Sequence, residues 1–424
     1  MRYAIVGATI EQVQAVGATD IKEARSTGVI FTTLTEEQVS RLKSQGCTVT
    51  EVGTVKATVI SPRPVAGVPT YTPQVLSWAA GLEDLRNSIK PPLYGQGINI
   101  ALIGTGCRET HEKINGHVIY SKNYTSDPME DRFDHDTGVC SIILAVAPSC
   151  SILNLKVLDD KGSGTEEEVV LAIDDCIAMY DEKAEYAPSV INLSLGSPDD
   201  GNPNNILRMA CRAAIERNIW VIAAAGNGGA APETIMNPAC EAYVLAVGSV
   251  KYEPFIISEF SSRGPTIEGL VKPDGVFFGE DIEMASSSSD TATVAKSGTS
   301  FTAPFASGII ALYHESITRF GGEARYGGQV EYPSGVPAGI YTGVARIVSP
   351  QEMLDKYLPY ICVKPQGVTA GKDNDYGYGL PYGPLISQGI GLKPAVDIST
   401  MLTSVVAIAM LGMMMTNMAK AMKG

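Results

Sequence analysis

Asn205-Ile-Leu-Arg-Met-Ala-Cys-Arg-Ala-Ala-Ile-Glu-Arg217, followed by Trp220-Val-Ile-Ala-Ala-Ala-Gly-Asn-Gly-Gly229, is the stretch that decides the architecture. Its first part carries a helical pattern. Its second part is a short β-rich run, Trp220–Ala225, that stops at a Gly-rich turn. The same unit repeats outward in both directions. Ile98–Ile103, Ser151–Val157, Val190–Leu195 and Ala242–Val247 are further short β-rich runs, and Glu166–Tyr180 is another helical stretch between two of them. Strands that are apolar throughout and alternate with helices predict an α/β fold with a doubly wound, mostly parallel sheet. Sites in such sheets form at the carboxyl ends of strands.

Composition bounds the rest. The chain has 424 residues, room for two or three domains. Apolar residues make up 45% and charged residues 18%, which excludes a disordered chain. The net charge of −14, with no basic run, excludes a general nucleic-acid binder, because phosphate neutralisation needs clustered Lys and Arg. Eight Cys are scattered without a Cys-x-x-Cys pair and read as free thiols in a reducing compartment. The four His (His111, His117, His135, His314) do not sit at zinc-ligand spacing with Cys, so no metal site is assigned. The start, Met1-Arg-Tyr-Ala-Ile-Val-Gly7, does not read as a signal peptide, since Glu11 and Asp20 follow soon after it.

Four regions are expected. Residues 1–60 read as a small α+β unit: strand Arg2–Gly7, a helix within Glu11–Arg25, strand Gly28–Leu34, a helix from the Thr35-Glu-Glu-Gln38 capping box to Lys43, and strands over Cys47–Val59 broken at Gly53. Residues 61–77 are a linker, Pro- and Gly-rich over Ser61–Thr72. Residues 78–395 hold the α/β domain. Residues 396–424 form a hydrophobic C-terminal helix. Its stretch Ile398–Ala419 carries no charge, so it is long enough to span a bilayer, yet it also fits a helix buried in a homo-oligomer.

Three motifs carry chemistry. In Lys296-Ser-Gly-Thr-Ser-Phe-Thr-Ala-Pro304, a Gly-Thr-Ser turn runs into an apolar helix. Ser300 at that helix start suits a nucleophile, because free N–H groups and the helix dipole favour the oxyanion that forms beside it. Standing alone, the same Ser is a helix cap. Asn227, on the turn after Trp220–Ala225, can donate an amide N–H to such an oxyanion; standing alone it is a turn residue. In Asp134-His-Asp-Thr-Gly-Val-Cys140, His135 precedes an apolar helical run and is a candidate general base.

Together these motifs resemble the subtilisin-like serine peptidases over most of residues 78–385. Gly298-Thr-Ser-Phe-Thr-Ala-Pro304 resembles the family's Ser motif, with Thr302 where the family has Ala. Val190-Ile-Asn-Leu-Ser-Leu-Gly196 resembles its substrate-pairing strand, Lys272-Pro-Asp274 one of its loops, and Asp375-Tyr-Gly-Tyr-Gly-Leu380 its terminal motif. Residues 1–60 resemble its ferredoxin-like propeptide. The resemblance implies Ser300 as nucleophile, His135 as general base, and Asn227 with the Ser300 N–H as oxyanion hole. It implies Ser194, Leu195 and Gly196 as the segment that pairs with an extended peptide. It also implies a peptide or protein substrate, the propeptide-like unit as an internal partner, and, from the family alone, calcium.

Two positions depart. Leu102-Ile-Gly-Thr-Gly106 puts Gly104 where the family carries the triad Asp, and Gly138 stands where its second His falls. Asp134 and Asp136 flank His135, and Glu109 lies near Gly104. One of them could stand in for the missing carboxylate; because neighbours at a helix start rarely point back at the adjacent ring, the expected reading is a solvated loop. The function expected is a serine endopeptidase attenuated by loss of the Asp. The alternative is an inactive pseudoprotease that binds peptides or serves in assembly. The expected location is the cytoplasm, or a membrane surface if 398–419 anchors the chain.

Overall fold

A computed structural model describes residues 1–59, 69–87, 91–319 and 349–389. Seven parallel strands form the central sheet. From edge to edge they are Gly275–Phe278, Leu245–Val250, Trp220–Ala224, Val190–Leu193, Asn99–Gly104, Ser151–Lys156 and Val118–Asn123. Asn99–Gly104, the first of these strands in the chain, is central. Later strands add on either side of it, so the order reverses between it and Val190–Leu193. That switch point opens a crevice at the carboxyl ends, beside Gly104 and Ser194.

Alternation along the strands divides the core. Ile100, Leu102, Ile152, Trp220 and Ile222 face one side, where they meet Ile142, Ile143, Phe305 and Ile309 of helices Asp136–Val146 and Ala303–Arg319. Ala101, Ile103, Leu153, Ile191 and Val221 face the other side, against Val169, Ile173, Leu207 and Ala214 of helices Glu166–Asp181 and Ile206–Glu216. Both faces are covered, which is why the strands are apolar throughout. This is the doubly wound α/β fold. One strand sits later than its sequence suggests: Leu245–Val250 rather than Ala242–Val247.

The N-terminal unit is a four-stranded antiparallel sheet carrying two helices. The strand order is Thr19–Ala24, Val29–Thr33, Arg2–Val6, Thr48–Glu51. Both helices, Ile10–Ala15 and Glu36–Ser44, start at reciprocal Thr/Gln capping boxes, Thr9 with Gln12 and Thr35 with Gln38. The first helix is shorter than the polar stretch around it suggests. Gly17 takes a left-handed φ of 84°, and the chain re-enters the sheet at Thr19. Tyr3, Ile5 and Ile30 pack under the unit's own helices, with Val13 and Leu42. Ala4 and Phe31, pointing the opposite way, pack on the helices of the larger domain.

Ionic contacts join the same two surfaces. Arg2 forks onto Glu167 at 2.5 and 2.7 Å, Lys22 reaches the same carboxylate at 3.0 Å, and Asp174 accepts from the N–H groups of Arg25 and Ser26 at 3.0 and 2.7 Å. The proposed linker is described only from residue 69 onward. The proposed C-terminal helix, 396–424, lies outside the described residues. Among the described residues no helix is long and apolar enough to cross a membrane.

Candidate active site

Past Gly53 the chain leaves the N-terminal unit and runs into the crevice. Strand Thr54–Ala57 lies between two others, pairing antiparallel with Leu195–Gly196 on one edge and with Ser163–Thr165 on the other. Lys56 and Ala57 face Gly196 and Leu195, and the Thr58 N–H donates to the Ser194 carbonyl at 3.3 Å. Val55 is completely buried. The segment is thus held as an added strand, a mode in which backbone bonds supply affinity and alternate side chains fill pockets.

The strand ends at Ala57, and the next residue, Thr58, meets the Ser and Asn motifs. Asn227 Nδ2 donates to the Thr58 carbonyl oxygen at 2.8 Å. The other end of that amide is fixed, because Asn227 Oδ1 accepts from Thr299 N and Thr299 Oγ1 at 3.0 and 2.9 Å. Ser300 lies in the 3₁₀ turn Thr299–Phe301 that leads into helix Ala303–Arg319. Its hydroxyl also reaches the Thr58 carbonyl oxygen, lies 2.6 Å from Thr58 Oγ1, and reaches the Ser194 carbonyl at 3.0 Å. Below it a buried relay fixes the turn. Ser307 Oγ donates to Asn192 Oδ1, Asn192 Nδ2 to Ser194 Oγ, and Ser194 Oγ to the Ser300 carbonyl, at 2.9, 3.0 and 2.8 Å. Thr302 is accommodated where Ala was expected, since its hydroxyl donates to the Thr299 carbonyl at 2.7 Å.

His135 immediately precedes helix Asp136–Val146, with φ −124° and ψ −63°. Its own side chain does not cap that helix. Asp131 does so instead: its carboxylate accepts from His135 N (3.1 Å), Thr137 N (2.9 Å), Thr137 Oγ1 (2.7 Å) and Thr105 Oγ1 (2.9 Å). Burial, and next the charge of Asp136, push the Asp131 carboxyl up, against the pull of the Thr137 and His135 bonds. The His135 ring packs 5.4 Å from the Phe301 ring, and its Nε2 is buried without a hydrogen-bond partner.

The expectation that the neighbouring acids are all solvated is corrected here. Asp136 Oδ1 lies 2.6 Å from His135 Nδ1, Asp136 Oδ2 accepts from the Thr105 N–H at 2.7 Å, and both side chains are 1% exposed. The helical turn does not carry Asp136 away from the ring, because His135 itself is not helical. Asp134, with φ 59°, is half-buried and paired with Lys296 at 3.1 Å. Glu109 accepts from Asn154 and Ser121.

Both departures have packing counterparts. A Cβ on Gly104 would stand 2.2 Å from Asp136 Oδ2, and a Cβ on Gly138 would stand 2.3 Å from Met284 Sδ. The spaces that side chains at these positions would take are filled. Sequence reasoning missed Thr58, Asp131 and Thr105, and it set Asp136 aside as a solvated acid. The capping pattern Asp131-x-x-x-His-Asp-Thr137 was the one signal available, and it reaches Asp131 and Asp136 but neither Thr58 nor Thr105. Among the described residues no group of three or more His, Cys, Asp or Glu side chains is arranged to hold a metal ion. All eight cysteines are free, and all but Cys362 are buried.

The doubly wound parallel sheet brings the Ser turn, the Asn turn and the His helix start to one crevice, beside a paired strand of the chain itself. The sequence model of the subtilase family matches residues 95–324, and the chain belongs to that family. It is similar to an intracellular serine protease of Paenibacillus polymyxa, 30% identical over 236 residues, covering 51% of this chain and 67% of that one. It is similar to the major intracellular serine protease of Bacillus subtilis (strain 168), 32% identical over 237 residues, covering 51% and 68%. A subtilisin of Bacillus sp. (strain TA39) is 29% identical over 311 residues, covering 66% and 72%.

Proposed function

We propose that the chain is a serine endopeptidase whose first substrate is its own Thr58–Val59 bond. One observation carries this reading: the Thr58 carbonyl oxygen accepts from Asn227 Nδ2 at 2.8 Å while the Ser300 hydroxyl touches the same carbonyl, on a strand paired along both edges. In the reaction Ser300 Oγ attacks the Thr58 carbonyl carbon and passes its proton to His135 Nε2. Asn227 Nδ2 and the Ser300 N–H stabilise the tetrahedral oxyanion. Collapse breaks the Thr58–Val59 bond, and His135 returns the proton to the Val59 nitrogen. Water, activated by His135, then hydrolyses the acyl-enzyme. Ser300 Oγ must first rotate from Ser194 and Thr58 towards His135. Later substrates would be peptides or proteins bound in the same extended register. Two of the relatives are named intracellular serine proteases, and we place the action of this chain inside the cell on that ground.

A second reading is favoured by one observation. Ser300 is bonded to Thr58 and Ser194, while His135 Nε2 is unpartnered. A pseudoprotease that keeps its N-terminal unit docked as a permanent ligand would have this arrangement. Cell-free synthesis of the full chain beside Ser300→Ala separates the two. The first reading expects a fragment beginning at Val59 that is absent from Ser300→Ala. Intact wild-type chain that also fails to react with a fluorophosphonate would establish the second.

A further inference from the structure

We infer that Asp136 is the residue that orients and charge-balances the His135 imidazole, replacing from the neighbouring position the acid that Gly104 lacks. The inference rests on the reading of His135 as the base for Ser300. It is carried by the fit of two residues on different elements. The Asp136 carboxylate bonds His135 Nδ1 through one oxygen at 2.6 Å and the Thr105 N–H through the other at 2.7 Å. Gly104 ends the strand just before Thr105, and any Cβ there would lie 2.2, 2.8 and 2.9 Å from Asp136 Oδ2, Cγ and Oδ1. The carboxylate therefore occupies the space into which a side chain at the strand end would project. Gly104 is the residue that leaves this space open.

The surroundings hold the carboxylate in place. Asp136 is the first residue of its helix, where the dipole favours a negative group. Its own N–H donates to Thr105 Oγ1 at 3.1 Å, so it is tied twice to the strand end. The ionisable groups facing it are His135, Asp131 and Cys107. Asp131 spends its oxygens on His135 N, Thr137 and Thr105 rather than on the ring. That leaves Asp136 to hold the Nδ1–H tautomer, which keeps Nε2 free to take the Ser300 proton. A carboxylate in this role does not itself become protonated. It stabilises the imidazolium as that forms.

The test follows the Val59 N-terminus in full-length chain made by cell-free synthesis. Asp136→Asn should slow its appearance by about 10⁴-fold, the loss seen when a triad acid becomes an amide. Gly104→Asp alone should also slow it, because two carboxyl groups then claim one space. Gly104→Asp combined with Asp136→Ala should run at least 100-fold faster than Asp136→Ala, since the acid is returned from the strand side. A rate for Asp136→Asn within tenfold of wild type would overturn the inference and leave Ser300 untouched. So would a double variant that unfolds at the wild-type temperature yet runs no faster than Asp136→Ala.

A readout independent of turnover uses uncleaved Ser300→Ala chain. The hydrogen-bonded Nδ1–H proton of His135, identified by its loss in His135→Gln, should give a downfield NMR resonance that disappears in Asp136→Asn. If the wild-type chain never cleaves itself, the endopeptidase reading fails, and this resonance still decides the pairing. Its persistence in Asp136→Asn would refute it.

Discussion

The two walls of the crevice are held by different kinds of contact. On the serine wall, Asn227, Thr299, Ser300 and Ser194 hold one another through short backbone and side-chain bonds, and the motifs read straight from the chain. On the histidine wall two positions depart from the pattern that the sequence resemblance implies. The strand ends in Gly104, the helix carries Gly138, and their side-chain space is filled by Asp136 and Met284 respectively. In the reaction proposed above, the serine wall must place two donors and a nucleophile around a single carbonyl oxygen, and few backbone arrangements do that. The histidine wall needs only a carboxylate at one point beside a ring. Any element that can deliver one satisfies it.

The contrast can be tested beyond the acid swap. The largest effect is expected on the serine wall. Asn227→Ala removes the amide donor on the Thr58 carbonyl and should lower the rate of self-cleavage by about 10²–10³, with the unfolding temperature little changed. A drop below tenfold would mean that the Thr58 carbonyl is not held as the reacting group.

A middle effect is expected on the histidine wall, in stability. Gly138→Ala gains about 1 kcal/mol of helix propensity but forces its methyl against Met284 Sδ, at a cost of about 1–3 kcal/mol. A net loss of about 1 kcal/mol should appear in denaturant unfolding. With Met284→Ala already present, the same change should be neutral or stabilising. Equal effects in both backgrounds would show that Met284 does not fill that space.

The smallest effect concerns the N-terminal unit. Burial pushes Glu167 up, but bonds and charge from Arg2 and Lys22 outweigh it and hold the carboxyl below its ordinary value of 4.5. A depressed carboxyl stabilises the docked state above its unfolded value, and that contribution is lost as pH falls through the lower, docked value. In uncleaved Ser300→Ala chain, Glu167→Gln should therefore cost about 1 kcal/mol near neutral pH. The gap to Glu167 should narrow as pH falls below 4.5 and close once pH is under the lower, docked value. A gap that persists unchanged into acid would assign the loss to packing.

The sheet was legible because strands buried on both faces cannot hide. Trp220–Ala224 and Val190–Leu193 are apolar at nearly every position, and Glu166–Asp181 and Ile206–Glu216 lie between them and their neighbours in the chain. The Thr35/Gln38 cap was legible for a local reason, a reciprocal bond across three residues. Thr58 carries no local signal. Its place is set by the docking of a separate sheet through Arg2, Lys22 and Phe31, contacts that span more than a hundred positions. Asp136 was misread through a sound rule applied to the wrong backbone. Helical geometry would turn it away from its neighbour's ring, and His135 is not in helical geometry.

The close approach between Gly104 and Asp136 also constrains descent. A strand-end acid and an acid after the histidine cannot coexist without displacing one another, since the first methylene would already lie 2.2 Å from an oxygen of the second. A lineage moving between the two arrangements one substitution at a time must pass through a chain with both acids in collision or one with neither. With Asp136 in the role inferred above, each intermediate is handicapped, and the present pair is self-preserving. The value of the glycine depends wholly on the aspartate thirty-two positions later, and neither can be exchanged profitably without the other.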